Sequence, residues 1–256
     1  MPRTVGPPHP SLSPELGGRG SISLPLLAAH ATTPAMSPDD KPALGPAAPA
    51  SAPGTAAAET RPEIRLNPGA HRRAMAGHPW VYSNEIEMTK AAKALEPGRL
   101  VKLLAHDNRA IGTATFNPRT LIAARILSRD PAVAIDRDFL AARLTQARAL
   151  RDRLYPEPYY RLVHAEADGL PGAIVDRYGE VVVVQLNSAG MDRLAGELVA
   201  ALEAVLAPAA ILFRNDSSAR TLEGLALETR WVKGERAGPI ELRENEIGRA
   251  SCRERV

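Results

Sequence analysis

The sequence predicts an α+β fold in two parts, a small β-rich barrel followed by a sheet flanked by one main helix. Three observations predict it. Between residues 62 and 132 apolar runs of strand length alternate with turn residues. Residues 136 to 154 then repeat at helical period, and from residue 159 onward strand-like runs surround a second helical pattern.

In chain order, Glu63 to Leu66 suits a first strand and Ala70 to Ala76 a short helix held between Gly69 and Gly77. His78-Pro79-Trp80-Val81-Tyr82-Ser83 follows, with Pro79 enforcing an extended approach. Leu100 to Leu104 and Ala110 to Phe116 read as strands joined by a hairpin turn at His106 to Arg109, and Thr120 to Leu127 as another strand. Asp136 can cap a helix running to Leu154, with Leu140, Leu144, Ala147 and Leu154 along one stripe and Pro156 and Pro158 stopping it. The valine run in Val181 to Leu186 suits a strand buried on both faces. Met191 to Leu206 carries Leu194, Leu198, Leu202 and Val205 at helical spacing, and Ala210 to Phe213, Leu227 to Val232 and Ile240 to Arg243 supply further strands.

The two ends differ from this pattern. Residues 1 to 61 are dense in Pro, Ala, Ser and Gly without period, a composition expected to stay disordered because it cannot bury enough apolar surface to offset its ordering entropy. Met36 is a candidate start of translation. Residues 246 to 256, EIGRASCRERV, break from everything before them and resemble the conceptual translation of a common short-read sequencing adapter. The only cysteine, Cys252, lies there, so no disulfide framework exists, as expected of a reducing compartment. Nor does Cys252 sit in a sequence that builds the shaped site a nucleophile needs. No apolar run approaches the roughly 20 residues that span a bilayer, and no secretory signal is visible, so the expected compartment is the cytoplasm.

Charge speaks weakly for nucleic acid. The net charge is +3; residues 1 to 61 sum to zero and the last eleven hold three arginines and two glutamates, which leaves +2 for residues 62 to 245. Nine arginines nevertheless crowd between Arg119 and Arg161, as phosphate contacts or as a solvated helix face.

The most informative stretch is RLVHAEADGLPGAIVDRYG, Arg161 to Gly179. Two short strands, Leu162 to Ala165 and Ala173 to Val175, flank a tight connection at Asp168-Gly169 and Pro171-Gly172. Glu166, Asp168 and Asp176 cluster around it, as a metal or acid-base set or, favoured here, as a turn former, a cap and an ion pair of the Asp176-Arg177 kind. Glycine-rich phosphate cradles of the G-x-G-x-x-G or Walker type are absent from the sequence.

This stretch resembles the hallmark segment of the bacterial SAM-dependent methyltransferases that modify cytosine carbon 5 in 23S rRNA. Further matching pieces are RLNPGAHRRAMAGHPWVYS (65 to 83), SARTLEGL (218 to 225) and ENE (244 to 246), where the family has Glu-Asn-Gly. The resemblance implies a PUA-like RNA-binding domain at 62 to 132, a connector helix at 133 to 158 and a central α+β domain at 159 to 245. It also implies a C-terminal Rossmann-like domain that would begin where this chain stops. Arg72, Arg73, His78 and Trp80 are then the candidate RNA contacts, by phosphate or guanine pairing and by base stacking. Glu166, Asp168 and Asp176 would help shape a substrate cleft. S-adenosyl-L-methionine (SAM) and the catalytic cysteine would belong to the missing domain, leaving this chain as an inactive recognition part. A stand-alone PUA-type RNA-binding protein, or another SAM-dependent methyltransferase sharing these front domains, are the alternatives.

Overall fold

The computed structural model describes residues 61 to 235 in full and the backbone of Ile240–Arg243 and Arg249–Cys252. The disorder expected of residues 1 to 61 lies outside the described residues except at Arg61, and so do most of residues 246 to 256. Arg61 is firmly placed, donating to Thr113 Oγ1 at 2.8 Å and to the carbonyls of Pro131 and Val133 at 3.3 and 2.6 Å. All fully described residues fall in one compact unit, Ala56–Val256.

The first part contains β1 (Glu63–Arg65), α1 (His71–Met75), β2 (Trp80–Tyr82), α2 (Lys90–Ala94), β3 (Arg99–Leu104), β4 (Ala110–Phe116) and β5 (Ile122–Ser128). The strand order is β1-β3-β4-β5-β2, with β1 parallel to β3 and the other pairs antiparallel. Register shifts at Leu103/Leu104, Thr113/Ala114 and Val81/Tyr82 bend the ladder, as bulges do. The two edges come together where Leu66 bridges Ile86 and the Glu87 N–H reaches Arg65 O at 2.9 Å. Curling of this kind encloses Leu66, Val101, Leu103, Ala114, Phe116 and Ala124, all fully buried. The expected strands are present; α2, capped by Thr89 through the Ala92 N–H, is an addition. Alanines and lysines alone gave no periodic signal there.

The second part is built from α3 (Arg137–Leu154), β6 (Tyr159–His164), β7 (Ala173–Tyr178), β8 (Val181–Leu186), α4 (Ala189–Arg193), α5 (Ala195–Leu206), β9 (Ala210–Asn215), α6 (Ser218–Leu222) and β10 (Glu228–Lys233). Its strand order is β10-β9-β8-β7-β6, antiparallel except for the β8–β9 pair, which α4 and α5 connect in parallel. The expected α+β arrangement is thus present. A two-stranded ribbon, β11 (Ile240–Arg243) with β12 (Arg249–Cys252), completes the described backbone.

Helix α3 starts as the sequence implied, Asp136 accepting from the Phe139 N–H at 2.9 Å. Leu140, Leu144 and Ala147 pack into the second core beside Leu198 and Leu202 of α5. Leu154 leaves that stripe, being 64% exposed, because Tyr155 already turns the chain toward Pro156. The single helix expected from 191 to 206 is instead two. It breaks at Leu194, whose N–H is shared between Gly190 O and Met191 O, so that α4 can pack beneath β3 and β4 while α5 lies along α3.

Candidate nucleic-acid interface

Helix α1, strand β2 and the link between them hold the four residues expected to meet RNA. Arg72 is exposed, and its guanidinium has no partner among the described residues. Arg73 is engaged within the fold. It donates to Trp80 O at 3.2 Å and Glu85 Oε2 at 3.0 Å, and its guanidinium lies 4.7 Å from the Tyr82 ring centroid. Glu85 also accepts the Tyr82 N–H at 2.8 Å, so one carboxylate ties α1 to β2. His78 stands edge-on to Trp80, with ring centroids 5.9 Å apart and planes at 76°. In the tautomer protonated at Nε2, its Nδ1 accepts the Trp80 N–H at 3.2 Å.

Trp80 is half-buried, and its indole N–H donates to Glu166 Oε1 at 2.7 Å. Two residues that the sequence placed in separate parts therefore meet. Glu166 belongs to a 3-10 turn, Ala165–Asp168, that follows β6. Asp168 locks this turn by accepting a two-pronged pair from Arg151 at 2.6 and 2.8 Å and the His164 N–H at 2.7 Å. Gly169 closes it in the left-handed region at φ 71°, packed against the Arg143 guanidinium.

Asp176 pairs with Arg161, its partner across the β6–β7 ladder, at 2.8 and 3.2 Å. That pairing raises the Arg161 pKa above its usual value. The neighbour expected to pair, Arg177, donates instead to Gly179 O and Tyr160 Oη. Sequence adjacency misled because strand neighbours point to opposite faces. Glu166, Asp168 and Asp176 thus answer to three different partners, and no group of His, Cys, Asp and Glu suited to a metal occurs among the described residues.

The arginine-rich stretch is likewise largely spoken for. Arg125 pairs with Glu223, Arg148 with Asp152, Arg151 with Asp168 and Arg137 with Asp138. Arg119, Arg129 and Arg153 remain exposed.

Sequence reasoning assigned no role to the SARTLEGL segment, yet it fastens the two sheets together. Glu223, only 5% exposed, receives Arg125 at 2.8 Å, the Asn117 amide at 2.9 Å and the Ala189 N–H at 3.3 Å. Arg220, 3% exposed, donates to Leu186 O, to Asp192 at 2.9 Å and to Ala226 O at 2.9 Å. The signal that could have found them is an Arg and a Glu three apart, Arg220 within α6 and Glu223 at its C-cap.

The same seam decides whether a nucleotide cofactor fits the parallel β8–β9 pair of the second sheet. In α/β folds such groups sit at the carboxyl end of the strands, against the following helix N-terminus. Here that place is filled by the protein itself. A Cβ on Gly190 would lie 2.4 Å from Thr115 Cβ, and one on Gly98 would lie 2.3 Å from Ala189 O. The end of the β8–β9 pair therefore does not form a SAM site. A separate cleft of about 480 Å³ opens beside Arg65, Asn67, Glu87, His106 and Asn108, but Arg65 already pairs with Asn108 and Glu87 across it.

Comparison with known proteins adds the following. Residues 64–129 match a family model described as a PUA-like domain. The chain is 41% identical over 188 residues to the ribosomal RNA large subunit methyltransferase I of Shewanella amazonensis, covering 72% of this chain and 47% of that protein. The proteins of the same name from Shewanella frigidimarina and Cronobacter sakazakii are 37% identical over 188 residues and 36% identical over 173 residues. For the latter the match covers 66% of this chain and 43% of that protein. Among solved structures, a proposed SAM-dependent methyltransferase from Streptococcus mutans superposes with a TM-score of 0.59 at 16% identity, over 72% of this chain and 46% of that one. A proposed methyltransferase complexed with SAH gives 0.56 at 16% identity, over 69% and 43%. At such identity these structures speak to the fold alone. The chain carries a PUA-like domain and is related in sequence to the proteins named ribosomal RNA large subunit methyltransferase I, of whose length it spans about half.

Proposed function

We propose that this chain is the RNA-recognition part of a SAM-dependent methyltransferase that modifies cytosine carbon 5 in 23S rRNA in the cytoplasm. The observation that carries this reading is the 41% identity over 188 residues to a protein named for large-subunit ribosomal RNA methylation. In support, the α1–β2 segment offers a free cation at Arg72 beside a ring fixed at Trp80, a pairing suited to phosphate contact and base stacking. Arg73 serves by holding β2 in place rather than by lending its own guanidinium. Binding of SAM, and the cysteine that would add to C6 of the cytosine so that C5 can accept the methyl group, are assigned to the remainder of the longer protein. The residues described here hold and orient the RNA.

The reading is tested by competition. Labelled 23S rRNA fragments bound to the chain should be displaced by unlabelled 23S rRNA at lower concentration than by 16S rRNA. Equal displacement by both would remove the 23S assignment.

A further inference from the structure

We infer that Trp80 and Glu166 together form a subsite for one unpaired nucleobase that presents adjacent N–H donors, and that guanine is the base it takes. This rests on the RNA reading above and adds to it a reason for a carboxylate on an RNA-facing surface. A negative charge beside bound phosphates opposes binding unless it reads a base edge. Glu166 is held where it can do so. Its Oε1 accepts the Trp80 indole N–H at 2.7 Å, and its second oxygen has no partner among the described residues.

The positioning is built into the backbone. Ala165 sits at φ 47°, in the left-handed region that a residue with a Cβ adopts at a cost. The strain persists because Asp168, gripped by Arg151, fixes the turn from its other end. The result directs Glu166 away from its own sheet and onto β2. On the other side the ring is steadied by His78 edge-on and by Arg73 on the Trp80 carbonyl. A half-buried, immobilised indole is a stacking platform of low entropic cost.

Chemistry then selects the base. A carboxylate only accepts. Guanine presents N1–H and the N2 amine side by side, whereas adenine and cytosine set a ring acceptor next to their amine and uracil flanks its one N–H with two carbonyls. Arg72, exposed on the neighbouring helix, supplies phosphate attraction that does not distinguish bases.

The test uses the full chain and short single-stranded oligouridine RNAs carrying one central guanine, inosine or adenine, read by fluorescence anisotropy. Guanine should bind about fivefold or more tighter than adenine, within the range for a base-edge contact, with inosine, which lacks the 2-amine, in between. Glu166→Gln keeps an acceptor for the indole but puts a donor in place of the second oxygen. It should abolish the preference for guanine, because the new amide donor faces guanine's N–H groups and instead complements the ring acceptor and amine of adenine. In a Trp231→Phe background, emission from Trp80 should be quenched by every oligonucleotide that binds. Equal binding of all three by the unaltered protein, or a guanine preference that survives Glu166→Gln, would overturn the subsite while leaving RNA binding in place. Absence of binding by any of them would overturn both.

Discussion

Glu223 shows how much one buried carboxylate can govern. It is the shared acceptor for Arg125, Asn117 and the Ala189 N–H, so replacing it by alanine takes the carboxylate from a buried cation and the Ala189 N–H, and leaves the Asn117 amide only its bond to the residue 223 carbonyl. Breaking a buried pair in this way costs about 3–5 kcal/mol, whereas an exposed pair is worth about 0–1 kcal/mol. Glu223→Ala should therefore lower the unfolding free energy measured in urea far more than Glu96→Ala, which removes the exposed partner of Arg193. Tyr160 gives a pH signature. Burial, then the hydrogen bond it donates to Asp152 at 2.8 Å, raises its pKa above the ordinary tyrosine value. A group whose folded pKa is raised contributes stability below its unfolded value near 10 and loses it as the pH climbs past that point. Above pH 10 the unfolding free energy should fall more steeply for the unaltered protein than for Tyr160→Phe; parallel curves would contradict this.

Among the elements, the contact of α4 with β3 and β4 depends on Gly190, set against Thr115, and on Gly98, set against Ala189 O, and Gly77 serves as a control for the latter. Gly98 and Gly77 both have positive φ, at 82° and 110°, so alanine at either meets the same kind of backbone strain. Only at Gly98 would the new Cβ also strike a neighbour, Ala189 O at 2.3 Å, while Gly77 has nothing within 4 Å. Gly98→Ala should accordingly destabilise more than Gly77→Ala by at least the roughly 1–3 kcal/mol of overpacking, read as a difference in chemical unfolding midpoints. Most strands were legible in the sequence because alternating or valine-rich runs carry their own period, as at Ala110 to Phe116 and Val181 to Leu186. Helices α2 and α6 were not legible. Each has five residues, too few for a 3.6-residue period to register, and each is fixed by a cap, Thr89 or Ser217, and by what it touches. The break at Leu194 was hidden for a related reason: the apolar spacing runs through it, and only the demand that α4 meet one sheet and α5 the other divides the helix.

For the whole molecule, the two sheets are held together by Glu223, by the Trp80–Glu166 hydrogen bond and by close glycine contacts. RNA bound at α1 and β2, as proposed, would meet a surface to which both parts contribute. The sequence named Trp80 and Glu166 separately but could not join them, since they are 86 positions apart and the pairing exists only in three dimensions. It named Arg72 and Arg73 as equals, and only the fold separates the exposed one from the one that braces β2. Because Arg72 and Trp80 carry the proposed contact, a gel shift with large-subunit rRNA fragments, comparing the unaltered chain with an Arg72→Ala, Trp80→Ala double variant of unchanged circular dichroism, tests the account most directly. The account predicts tight binding that weakens by about tenfold or more in the variant, as loss of one stacking and one phosphate contact implies; unchanged binding by the folded variant would contradict it.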